Sequence, residues 1–161
     1  MSTTGLFNLT VRDAQGEIKS CESFPNAVTD QGVDHLLNVG FKGAAASATW
    51  YIGLISSLNF AGITDSDTQY RRYWIEATTY DEATRQVFNA GTVTNKSLDN
   101  SASPAVFTAS EFFQIRGLYL VNVSTKGAKT GVLYSVAQLP NIATLSASDT
   151  LTVTYDIAGR L

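Results

Sequence analysis

With 161 residues and 17.3 kDa, the chain can bury one substantial core but not two, so a single domain spanning 1–161 is expected. Charged residues make up only 16%, below the roughly 25% of an average soluble domain, at a mean hydropathy of +0.01. Eleven Lys and Arg against 14 Asp and Glu give a net charge of -3, which provides no basic field for phosphates and excludes nucleic acid as an expected partner. No apolar run approaches the ~20 residues of a membrane span, and Met1–Thr4 lacks the basic and apolar segments of a secretion signal. One cysteine, Cys21, and one histidine, His35, exclude an intrachain disulfide and a His- or Cys-rich metal site. No cofactor is expected.

In chain order, Met1–Gly5 is a short polar arm suited to lie over a neighbour. Phe7, Leu9 and Val11 alternate with Asn8 and Thr10, the pattern of a half-buried strand, and Asp13-Ala14-Gln15-Gly16 supplies the turn to a second hairpin arm, Glu17–Ser23. A short amphipathic helix is predicted near residues 29–39, capped by the Thr29 hydroxyl and favoured by Asp30. Val33, Leu36 and Leu37 form its apolar spacing, Gly32 weakens it, and Gly40 ends it. Residues 43–48 form a small-residue loop.

Strand signals return at Trp50–Ile55 and Tyr73–Thr78, separated by a polar connection over Ser56–Tyr70. Further strands are predicted at Val87–Phe88, Gly91–Leu98, Ala105–Thr108, Phe112–Val123, Gly131–Gln138 and Thr150–Ile157. Short strands with turn residues between them and one helix point to a mainly β fold, an antiparallel β-sandwich or jelly roll.

Candidates for chemistry are sparse. Gly-x-Ser-x-Gly is absent, and His35, beside Leu36 and Leu37, fits a helix surface near the core edge better than a catalytic base. Cys21 reads as a buried, inert thiol. Asp65 and Asp67, or Asp81 and Glu82, can place oxygens around calcium, but the spacing falls short of an EF-hand and suits Asx turns that cap the loop. Nothing selects a glycosidase carboxylate pair. Gly127-Ala128-Lys129-Thr130-Gly131 lacks the spacing of a phosphate-binding loop and reads as a hairpin turn. Arg71, Arg72, Tyr73 and Trp74, next to Tyr70, form the one cluster of cations and aromatics, the residue types that dominate protein-interface hot spots. The plainer reading is a strand edge in which Trp74 is core and the arginines are solvated.

Several phrases resemble a group of small virion structural proteins of tailed bacteriophages. They are residues 26–37, Trp50–Ile55, Gly62–Thr68, Trp74-Ile75-Glu76, Tyr80–Arg85, Ile115–Leu120 and Asp149–Tyr155. The resemblance implies a β-rich protein without enzymatic activity, similar to capsid decoration or cement proteins. It would be made in the host cytoplasm, sit on the capsid surface against the major capsid protein, and form a homo-oligomer. The alternative it implies is a tail or fibre component that binds host surface carbohydrate; a cell-wall glycosidase ranks third. Fifteen Ser and 19 Thr supply small neutral groups where charges would be usual, a surface readily desolvated against another protein.

Overall fold

Alternating side chains set the first hairpin. In the computed structural model, which describes residues 2–160 and the side chains of residues 5–159, β1 (Ser2–Arg12) pairs with β2 (Ile18–Pro25). Phe7, Leu9 and Val11 are fully enclosed. The turn forms as its residues dictate: Asp13 accepts the Gln15 and Glu17 N–H groups, both at 2.9 Å, and Gly16 takes φ +88°. Residues 2–5, expected as a free arm, continue β1 and pair with residues 157–160 of the last strand. That strand extends far enough to offer them a complete ladder; Met1 lies outside the described residues.

Beyond β3 (Ala27–Val28), α1 spans Asp30–Lys42, so the predicted helix exists but runs three residues further. Thr29 caps it, accepting the Gly32 N–H at 3.0 Å while its own hydroxyl donates to the Leu133 carbonyl. The left-handed stop is Gly43, φ +68°, rather than Gly40: Phe41 and Lys42 continue the helix, and Lys42 suits the negative end of its dipole. Gly32 is a packing requirement rather than a weakness. A Cβ there would lie 2.4 Å from the Tyr134 carbonyl oxygen, so only glycine lets α1 approach so closely.

The remaining strands are β4 (Tyr51–Ser56), β5 (Glu76–Ala77), β6 (Gln86–Val87), β7 (Ser97–Asp99), β8 (Ala105–Thr108), β9 (Phe113–Val121), β10 (Leu133–Leu145) and β11 (Thr150–Arg160). They form a mainly β, two-sheet antiparallel sandwich. One sheet runs β2-β1-β11-β7, with β8 also on β11; the other runs β3-β10-β9-β4-β5, with β6 also on β4. Between the sheets, Phe7 stacks on Tyr155 at 3.9 Å, and Ile52, Leu54, Phe107, Leu118 and Leu151 are enclosed, each contributing about 1.5–3 kcal/mol by burial. The Tyr155 hydroxyl donates to Ser135 Oγ (3.0 Å) and accepts from Asn26 Nδ2 (2.8 Å), tying the two sheets together.

The second sheet is covered on both faces. Ile55, Tyr119, Val121, Leu133 and Val136 point away from the sandwich interior and are roofed by Trp74, Phe60 and Ile63 from the long connection after β4. This explains why Leu118–Val121 is continuously buried instead of alternating. The predicted strands at 73–78 and 91–98 shrink to Glu76–Ala77 in this sheet and Ser97–Asp99 in the other, for separate reasons. The first segment crosses over the sheet, and the second begins with a tight turn at Thr94–Ser97. Among the described residues, no helix is long and apolar enough to cross a membrane.

Candidate interaction site

The loop holding the Arg and aromatic cluster is fastened from beneath. Asp67, buried, accepts hydrogen bonds from Thr64 N (3.1 Å), Thr64 Oγ1 (3.0 Å) and the Trp74 indole N–H (2.9 Å). Trp74 is itself buried against Tyr119, with ring centroids 4.9 Å apart. The Arg72 guanidinium lies 4.1 Å above the Trp74 ring, a cation–π stack that holds it half-buried. Thr68 and Arg71 close the loop tip, with Arg71 N–H donating to Thr68 Oγ1 and Thr68 N–H to the Arg71 carbonyl, both at 2.9 Å.

The four cluster residues therefore divide. Trp74 and Arg72 form the foundation, whereas Arg71 and Tyr73 point outward beside Tyr70 and Ile75. Tyr70 and Tyr73 are 79% and 81% exposed, far more than a tyrosine used for folding. Asp65 and Asp67 do not converge. The Asp65 side chain is exposed, its carbonyl accepts the Asp30 N–H at the start of α1 (2.8 Å), and Asp67 is engaged by Thr64 and Trp74. Among the described residues, no three His, Cys, Asp or Glu side chains gather as a metal site.

The other sequence candidates have structural surroundings. His35 meets the Trp50 ring edge-on at 5.5 Å. Both Glu82 oxygens accept the Thr108 N–H, at 3.1 and 3.0 Å, while Asp81 is exposed. Cys21 is exposed, correcting the expectation of a buried thiol: it pairs with Thr10, which faces outward because Leu9 and Val11 face in. Gly127, φ +75°, lies in the β9–β10 connection, as the hairpin reading expects.

Sequence reasoning missed the strongest polar feature, the Glu76–Arg85 pair. Arg85 is fully buried and donates through Nε to Glu76 Oε1 (2.9 Å) and through Nη2 to Glu76 Oε2 (2.7 Å). Its remaining donors reach the Val123 and Ala128 carbonyls at 2.8 and 2.9 Å. Burial opposes its charge, but the Glu76 hydrogen bonds prevail and raise its pKa. Burial, and then the Glu76 charge, push the Tyr80 and Tyr119 phenols well above their ordinary value. Sealed from solvent, this group acts as a latch on the β9–β10 connection. Glutamate within the apolar run Trp74-Ile75-Glu76-Ala77 was the available signal: a carboxylate there needs a buried cation.

A cleft of about 800 Å³ opens at one end of the sandwich, lined by Leu36, Trp50, Phe88, Leu98, Leu120 and Ile157 among others. Lys96 is the one charged residue among its described lining. It offers apolar surface and no set of converging acids, bases and nucleophiles. No protein-family model matches the chain, and no curated protein matches it in sequence.

Proposed function

We propose that this protein is a structural component of a tailed-bacteriophage virion that decorates the outer capsid and cements its subunit seams, contacting the major capsid protein through the loop at Tyr70–Trp74. The observation carrying this reading is the outward presentation of Tyr70, Arg71 and Tyr73 on a loop fixed by Asp67, Arg72 and Trp74. Tyr and Arg are preferred interface anchors, and a loop ordered in advance loses little entropy on docking. The outer face of the β1–β2–β11 sheet adds neutral side chains, Asn8, Thr10, Ser23, Thr152 and Thr154, that are less costly to desolvate than charges. A small contact repeated over a shell gives a large collective stabilisation without any catalytic step.

Binding to assembled capsid shells tests this directly. Wild-type protein should co-sediment with shells at a fixed ratio to the major capsid protein, and Tyr70→Ala/Tyr73→Ala should lose at least about tenfold in affinity while keeping its unfolding midpoint. No saturable binding by the wild type would overturn the reading. The alternative, a tail or fibre component that binds host carbohydrate, has the cleft as its natural site. Leu36, Phe88, Leu98, Leu120 and Ile157 offer a polyol few hydrogen-bond partners, and this weighs against it. Hits on a glycan array that Trp50→Ala abolishes would reverse the order.

A further inference from the structure

The cleft at the end of the sandwich is built from both sheets. Leu98 of β7 and Ile157 of β11 come from one sheet, Leu120 of β9 from the other, and Trp50 from the residue just before β4. Phe88 and Leu120 are buried and form its floor. Its walls are held by the protein's own contacts. The Phe88 N–H donates to the Trp50 carbonyl (2.8 Å), the Gly91 N–H donates to the Asp99 carbonyl (2.7 Å), and the Trp50 ring meets Tyr134 edge-on with centroids 5.7 Å apart. At about 800 Å³ the cleft falls within the roughly 300–1,000 Å³ of small-molecule sites, where apolar walls take the body of a ligand and a few polar groups fix its orientation.

The mouth of the cleft carries one cation. Lys96 is exposed, and among the described residues its ammonium has no ion-pair partner. Its backbone position is unusual for a lysine. Asn95 and Lys96 form a two-residue turn closed by reciprocal backbone hydrogen bonds between Thr94 and Ser97 (2.8 and 3.0 Å), and both take positive φ, 52° and 65°. Glycine is the usual second residue of such a turn, so this side chain is carried against the local backbone preference. The Gly159 N–H anchors the turn, donating to the Lys96 carbonyl at 2.8 Å. We propose that the cleft binds an amphiphile of the fatty-acid class, with its apolar chain between Trp50, Leu98, Leu120 and Ile157 and its carboxylate at the Lys96 ammonium. Charge selects the head group. A neutral head gains no ion pair, a cationic one is repelled, and a single ammonium matches a monovalent anion. The proposal does not depend on the capsid reading.

Isothermal titration of the full chain with decanoate, kept below its micelle concentration, tests it. The expected result is saturable binding of decanoate, with affinity rising roughly fourfold per methylene from octanoate to dodecanoate as more of the chain is buried. Tryptophan fluorescence should change on binding, because Trp50 lines the cleft while Trp74, the other tryptophan, lies beneath Arg72 outside it. Decanol should bind about fivefold more weakly than decanoate, and Lys96→Met should weaken decanoate by about the same factor while leaving decanol unchanged. Lys96 is exposed, so the variant should keep the wild-type unfolding midpoint. No saturable decanoate binding, binding without a fluorescence change, decanol bound as tightly as decanoate, or wild-type decanoate affinity in Lys96→Met would overturn the proposal.

Discussion

Arg85 and Glu76, nine positions apart in sequence, meet in a two-point ion pair inside the protein, with N–O distances of 2.9 and 2.7 Å. Glu76 Oε2 also accepts the Gly127 N–H at 2.8 Å, so the pair joins β5, the segment before β6 and the β9–β10 connection. Removing one partner leaves the other charged and buried. Glu76→Ala should therefore cost about 3–5 kcal/mol in urea unfolding, and Glu76→Leu/Arg85→Met should cost less than either single truncation. A loss below 1 kcal/mol for Glu76→Ala would show that water reaches the guanidinium.

A second ion pair sets part of the acid sensitivity. Burial raises the pKa of Asp149, but hydrogen bonds from the Lys19 ammonium and the Ser146 N–H outweigh it and hold the carboxyl below its ordinary value. A group whose pKa is depressed on folding stabilises above its unfolded value, about 4, and loses that contribution as pH falls through the folded value. Unfolding midpoints should be steady above that point with respect to this group and decline below it. Asp149→Asn should lower the neutral-pH midpoint and flatten the decline.

The Asp67 carboxylate is the anchor of the exposed aromatic loop. Asp67→Ala leaves the buried Trp74 indole N–H without its acceptor, and a loss of about 1–3 kcal/mol is expected in denaturant unfolding. Amide exchange should accelerate over residues 64–75 more than in β9. Unaltered exchange there would mean that Trp74 packing alone orders the loop.

Gly32→Ala separates helix propensity from packing. Alanine favours an isolated helix by about 0.8–1 kcal/mol, but its Cβ would fall 2.4 Å from the Tyr134 carbonyl oxygen and push α1 off β10. Thermal unfolding should show a net destabilisation; an increase in midpoint would mean that α1 shifts without cost.

Local patterns carried much of the architecture. The β1–β2 hairpin followed from Phe7, Leu9 and Val11 with a turn of Asp13 and Gly16, and Thr29 marked the start of α1, because these depend on neighbours a few residues away. The Arg and aromatic cluster was also legible, as was a core position for Trp74, but not that Arg72 lies beneath with Trp74 while only Arg71 of the two arginines stays outside beside Tyr73. That division depends on Tyr119, which arrives from β9 more than forty residues later. Cys21 was misplaced for the same kind of reason: its facing is set by its pairing with Thr10 rather than by its own neighbours.

By itself the sequence determined a mainly β chain with one helix and sparse charge. Alternation, capping and turn residues act over short range, so they can be read in one dimension. Only the tertiary structure decided that one sheet is covered on both faces, that Glu76 finds Arg85, and that α1 leaves Val33, Leu37 and Phe41 facing water. Burial and charge pairing depend on which distant segments come together, and that is settled by packing the two sheets and the crossing loop around a common core.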